Sequence, residues 1–394
     1  MKDMKLRPLS SSEITALEKQ GCSSGDWSAI SVPEDFRTGN VDNTRFTGTV
    51  SLGLLGGEIQ TPNGHPERSG ICNSHIHHCE IGDHVLIRNV RLVKNYRIMD
   101  RVILDNVDIV SVEGPSSFGN GTEIEVLNEG GGRELLMFDR LNAQLAYLIV
   151  TSRHDRELIE ILNRMILEYV RKKTSPAGSI GTGTGIFNSE SLIGMDIGEQ
   201  VMIRGATLLE NGTIRSHRAA PVYIGENVIA RNFMVMSGSR VDGGALIEKC
   251  FVGQGVEIGK QFSAENSLFF ANCEGFHSEA VSVFAGPYTV THHRSTLLIA
   301  GMFSFYNAGS GTNQSNHMYK LGPVHQGIIE RGSKTGSFAY LLWPGRVGPF
   351  TVVMGKNMAS FDTSEFPFSY ITVDHEQSVL TPGMNLFTEG TRRD

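Results

Sequence analysis

Residues 313–327 read NQSNHMYKLGPVHQG. Two histidines, two asparagines, two glutamines and a lysine share this stretch with no acidic residue. A neutral imidazole near pH 7 suits proton abstraction from an amine or hydroxyl, so His317 and His325 are candidate general bases. Asn313, Gln314 and Asn316 offer amides that orient a base or hold a substrate. Lys320, Arg331 and Lys334 offer positive charge for phosphates. The run GSGTNQSN adds backbone amides that could cradle a pyrophosphate or an oxyanion. A hydrogen-bonded surface loop sealing a subunit contact is the non-catalytic reading of the same residues.

Other histidines cluster elsewhere. THHR places His292 beside His293, and His277 precedes them. Three histidines converging with an open fourth position would bind zinc, whereas satisfied structural imidazoles need no metal; the second reading is adopted, and no metal is expected. HIHHCEIGDH holds His75, His77, His78, Cys79 and His84. Strand alternation sends His75 and His77 to one side and His78 to the other, which argues against a shared metal.

The elements that position these groups follow from a period. Between residues 222 and 270, Ile224, Ala230, Val235, Val241, Ile247, Val252, Ile258, Ala264 and Phe269 are separated by 6, 5, 6, 6, 5, 6, 6 and 5 residues. Each recurs 17 positions later, a pattern that neither a helix of period 3.6 nor simple strand alternation produces. Ile81, Ile87, Leu92, Ile98, Leu104 and Ile109 repeat the grid, and Ile197, Ile203 and Leu208 start it again. Three short strands per coil, joined at corners and stacked about 4.8 Å apart, account for it. The grid residues then point inward, and Gly225, Gly243, Gly253, Gly259, Asn227 and Asn232 are corner candidates.

The motifs IGDHVL, IGEQVM, IGENVI and VGQGVE resemble the hexapeptide-repeat proteins. That resemblance covers roughly residues 70–110 and 190–355 and implies a left-handed parallel β-helix, commonly a homotrimer. The whole chain is similar to an uncharacterised bacterial family labelled as related to acetyltransferases or to UDP-N-acetylglucosamine pyrophosphorylase. In hexapeptide acyltransferases a histidine is the general base, and the acyl donor lies in a groove between β-helices. The superfamily also includes carbonic anhydrases of the gamma class.

Residues 130–174 break the repeat with helical spacing: Leu135, Phe138, Leu141, Leu145 and Leu148, then Leu158, Ile161, Leu162, Met165 and Tyr169. A helical hairpin is expected there, its second helix ending in Arg171, Lys172 and Lys173, which complement the negative helix pole. GTGTG at 181–185 lacks the lysine of a phosphate loop and reads as a return loop. Ser10 and Glu13 have capping-box spacing for an N-terminal helix. Past Phe269 the grid passes through Val281, Leu298 and Phe303 and then fails, so residues 306–336 are expected to leave the coil as a long functional loop.

Composition narrows the partners. The formal net charge of −7 argues against nucleic acid and anionic membranes. The start has no apolar signal core, no stretch is long enough to span a bilayer, and the five cysteines include no CxxC pair, all consistent with a cytoplasmic protein. GxSxG, HExxH and the GxGTR of nucleotidyl-transferring domains do not occur.

The resulting expectation is an all-β solenoid, a left-handed parallel β-helix with an inserted α-helical hairpin. Its segments are an N-terminal cap (1–70), a first β-helix block (71–128), the hairpin (129–178), the main β-helix (179–355) with loop 306–336, and a C-terminal cap (356–394). The functional expectation is an acyltransferase using acetyl-CoA as co-substrate on a sugar or sugar nucleotide, with His317 or His325 as base. The alternatives are a non-catalytic sugar-nucleotide-binding or assembly protein and a gamma-carbonic-anhydrase-like metal enzyme.

Overall fold

A computed structural model describes residues 5–61, 64–132, 134–315 and 326–390, with side chains through 387. It is a parallel β-solenoid with four short helices among the described residues. The chain divides into two compact units, residues 1–119 with 171–231 and residues 120–170 with 232–394.

In the first unit, the strands Val41–Leu52, Gly70–Ile81, Leu86–Ile98 and Ile103–Ser111 pair in parallel, each with the next. Ile103–Ser111 then pairs in parallel with Gly185–Ile197, so the ladder closes across the insertion. Ser23–Ser24 and Ile30–Pro33 already pair in parallel with Val41–Leu52, which places the first coil inside the segment read as a cap. Helix α1 (Ser11–Lys19) has the expected capping box. Arg7 forks onto the Glu13 carboxylate at 2.8 and 2.9 Å and, with the Ser10 N–H, holds its pKa down at about 2. The GTGTG segment is a corner between Gly178–Ile180 and Gly185–Ile197.

The corners explain the asparagines. Asn43, Asn73, Asn89, Asn106, Asn188 and Asn211 all have φ between +41° and +58°, a conformation asparagine tolerates better than most side chains. Their amides bond along the column, Asn43 Nδ2 donating to Asn73 Oδ1 at 2.9 Å and Asn73 Nδ2 to Asn89 Oδ1 at 3.0 Å. Of the expected corner glycines, Gly243 does take positive φ. Gly253 is instead required for space, since a Cβ there would lie 2.8 Å from the Phe269 carbonyl oxygen, whereas a Cβ at Gly259 would meet only the movable Asp242 carboxylate at close range.

The inward grid holds with local slips. Val241 pairs with Ile258, Ile247 with Ala264 and Val252 with Phe269, as the 17-residue period requires. Leu92 and Ile109 are in register but half-exposed, and their neighbours Val93 and Val110 are the buried residues. Ala264 pairs with Ala280 rather than placing Val281 inward, because that coil is one residue shorter.

In the second unit the column Ala264, Ala280, Leu298, Gln314, Leu341, Asn357 runs in unbroken register. The expected loop is therefore shorter than 306–336. Asn307–Ala308, Asn313–Ser315, Gly327–Ile329 and Lys334–Thr335 remain strands of the coil. Glycine, threonine and glutamine at these positions hid the strands from an apolar grid. Inside this polar part of the core, Gln314 Nε2 donates to Tyr306 Oη at 2.5 Å, and the Tyr306 and Thr335 hydroxyls lie 2.9 Å apart.

The helical part of the insertion begins later than its leucines suggest. Leu135–Leu136 is a strand antiparallel to Glu123–Ile124, and helix α2 (Ala143–Thr151) starts at the Asn142 cap. Helix α3 (Arg156–Lys173) follows. Phe138, Leu141, Ala146, Ile149, Val150 and Ile166 pack on Met234, Met236, Phe251, Leu268, Phe270, Phe284 and Met302 of the solenoid. Each of the larger side chains among them contributes about 1.5–3 kcal/mol by its burial. An antiparallel hairpin, Tyr370–Asp374 with Gln377–Thr381, and helix α4 (Asn385–Gly390) follow the last coils. All five cysteines are free thiols, and no helix among the described residues is long and apolar enough to cross a membrane.

Candidate functional site

A corner of the second unit carries the side chains that can do chemistry. Positive φ recurs on successive coils at Gly243 and Gly244, at Lys260 and Gln261, and then at His277, Ser295 and Gly311. Beside this corner runs an in-register column of outward residues, Ser263, Glu279, Leu297 and Asn313. Corner and column enclose an open polar groove of about 600 Å³, to which Lys260, His277, Arg294 and Asn313 contribute.

The groove is lined by charges of both signs, with one more cation than anion. Lys260 and Arg294 line it together with one carboxylate, Glu279, and the His277 imidazole. The Lys260 ammonium lies 4.6 Å from the centroid of the Phe276 ring, which positions it without neutralising it. The Ser278 hydroxyl is occupied inside the coil by Thr291 Oγ1 at 3.0 Å and the His293 carbonyl at 3.1 Å. Two cations, an imidazole and an amide in one polar cleft suit a phosphorylated, hydroxyl-rich ligand, with His277 placed to accept or give a proton.

The sequence candidates scatter relative to this groove. His277 and Asn313, 36 residues apart in the chain, are brought together in it. Gln314 is fully buried and is a core residue, not a surface contact. His292 is exposed, with Nδ1 3.3 Å from the Glu274 carboxylate and its ring stacked on Phe276. Thr291, not His292, takes the inward position opposite Gly275. His293 is likewise exposed. Lys334 is half-buried on the strand Lys334–Thr335, and Arg331 lies over the Phe305 ring at 5.4 Å beside a different, apolar groove. His317, His325, Asn316 and Lys320 lie outside the described residues. Among the described residues, no three His, Cys, Asp or Glu side chains converge as a metal site would require.

Sequence reasoning missed Lys260, Arg294 and Glu279. The signal existed for one of them: Lys260 precedes His277 by 17 residues, the coil period, and therefore shares its corner. Arg294 and Glu279 required the shortened coil to be known.

Residues 6–394 match the family model described as a domain of unknown function, DUF4954. The chain is also 25% identical over 387 residues to an uncharacterized protein of Treponema pallidum (strain Nichols), an alignment that covers 95% of this chain. The chain spans about half, 53%, of that relative's length.

Proposed function

The chain belongs to the DUF4954 family, and we propose its function from the polar groove. In this reading the protein is a hexapeptide-type acyltransferase that acetylates a sugar or sugar nucleotide. Lys260 and Arg294 hold the acceptor's phosphate, and Asn313 orients its hydroxyls. His277 takes the proton from the accepting hydroxyl or amine as that atom attacks the thioester carbonyl of acetyl-CoA. The acetyl–sulfur bond breaks, the acetyl–acceptor bond forms, and the proton on His277 passes to the departing thiolate. The same reading carries a homotrimeric, cytoplasmic protein. The observation behind it is the meeting of His277, Asn313 and two cations, Lys260 and Arg294, in one groove.

The test is a thermal-shift titration with acetyl-CoA and UDP-N-acetylglucosamine, followed by a thiol-release assay. A ligand binding only the native state at a hundredfold excess over Kd stabilises it by about 2.7 kcal/mol. Arg294→Ala and Lys260→Ala are expected to weaken the nucleotide sugar. His277→Ala is expected to bind it and yet turn over roughly 10²–10⁴-fold more slowly. Binding without thiol release would mark a sugar-nucleotide-binding protein instead. No response to either ligand would overturn both readings.

A further inference from the structure

The order of charges along the polar groove narrows what it can hold. Its residues fall on successive coils about 4.8 Å apart: Lys260 and Ser263 on one, His277 and Glu279 on the next, Arg294 and Leu297 on the third. A cation therefore stands on each side of the coil that carries Glu279. Glu279 is the exposed outward residue of the strand Glu279–Val281, next to the buried Ala280. Its neighbours in the outward column are Ser263 and Leu297, neither of which can neutralise a carboxylate. Among the described residues the Glu279 carboxylate accepts no hydrogen bond and joins no ion pair, and the Arg294 guanidinium is likewise without a partner.

A phosphate held between Lys260 and Arg294 lies over the coil of Glu279, where the carboxylate opposes its charge. A ligand that brings only phosphate and hydroxyls leaves that repulsion in place. One that also carries an ammonium a few bonds from its phosphate turns the carboxylate into the acceptor of a charge-assisted hydrogen bond. Both cations and the carboxylate then each meet the opposite sign. His277 is two residues before Glu279 on the same coil and lines the same groove, so the atom held by Glu279 is also the one next to a base. Taking the groove as the acceptor site, as proposed above, we infer that the acceptor is a phosphorylated primary amine and that Glu279 selects it by holding the ammonium beside His277. The nitrogen arrives as an ammonium and loses two protons. His277 takes the first and passes it to solvent. The freed amine attacks the thioester carbonyl, the carbon–nitrogen bond forms as the carbon–sulfur bond breaks, and the second proton goes through His277 to the thiolate. Each amide formed releases one proton to solvent, whereas an ester formed from a hydroxyl releases none.

The experiment is isothermal titration of the full chain with glucosamine 6-phosphate and with glucose 6-phosphate, which differ only in an ammonium against a hydroxyl. The amine should bind roughly tenfold more tightly, the size of one hydrogen bond between charged groups. Glu279→Gln should abolish that preference and leave glucose 6-phosphate bound as tightly or more so, and Arg294→Ala should weaken both ligands. Glu279 is exposed, so its amide variant should fold with an unchanged melting temperature. Equal affinity for the two ligands, a preference that survives Glu279→Gln, or no binding of either would overturn the selection. Binding needs no acetyl-CoA, which separates this outcome from the transfer reaction. In a thiol-release assay at about pH 6.5, where the amine is protonated and the thiol neutral, one proton per thiol is expected from the amine. Thiol release from glucose 6-phosphate alone, with no proton, would keep the transferase and overturn the amine. Preference for the amine without thiol release would support its selection by Glu279 and strike the transferase.

Discussion

In the first unit His75 and His77 share one hydroxyl: Thr47 Oγ1 lies 2.8 Å from His75 Nε2 and 2.8 Å from His77 Nδ1. A hydroxyl has one proton, so it donates to one ring and accepts from the other. Burial, reinforced by Arg45, pushes the His75 pKa down; burial, with His78 and Lys94, does the same for His77. His277 in the second unit stands instead in an open groove, among cations and an amide. The comparison teaches that histidine density does not locate chemistry. In the richest cluster, HIHHCEIGDH, the rings of His75, His77 and His78 are hydrogen-bonded on the coil, while a lone corner histidine faces space that a ligand can fill.

The sharpest way to break this comparison is activity. His277→Ala should lower acetyl transfer by roughly 10²–10⁴-fold, whereas His77→Ala should leave kcat/KM within about threefold. Equal losses in a thiol-release assay would mean that the contrast between the clusters is illusory. Stability should respond in the opposite sense. Thr47→Val removes the partner of both imidazoles and should cost about 1–3 kcal/mol, seen as a lower urea midpoint. Ser263→Ala, in the groove wall, should leave that midpoint unchanged.

A smaller effect concerns pH. The folded His75 and His77 titrate below the unfolded value of about 6.5, so the unfolded chain binds protons first as pH falls. Their contribution is present in full above that value and is lost as pH drops through it towards the folded pKa values. The melting temperature should therefore fall between about pH 7 and pH 5, and less steeply in a His75→Asn, His77→Asn double variant. An unchanged slope would remove these two groups from the account. The smallest effect is expected at Gln314, whose Oε1 is buried without a partner. Gln314→Leu matches its column neighbours Leu298 and Leu341 and should hold or slightly raise the melting temperature without altering ligand binding.

Much of the solenoid was legible because an inward side chain must stack on its equivalent one coil away, and a repeated spacing of 17 leaves few other folds. The places where the reading slipped share one cause. Corners absorb residues in the left-handed conformation without changing the apolar count, so Val93 replaces Leu92 inside and Ala280 replaces Val281. The polar coils around Thr312, Gln314 and Thr335 looked like a loop because their core is hydrogen-bonded rather than apolar. In the insertion, Leu135 and Leu141 have helical spacing, but only the residues after the Asn142 cap form α2.

What the sequence determined by itself was the coil and its period, since these are local and repeated. It did not determine which side chains meet. His277 and Asn313 share a groove, and Thr47 lies between His75 and His77, only because the ladder register carries residues 28 to 36 positions apart onto coils one or two steps away. A change of one residue in the length of a coil reassigns every such meeting, and that length is set by the packing of the corners in three dimensions.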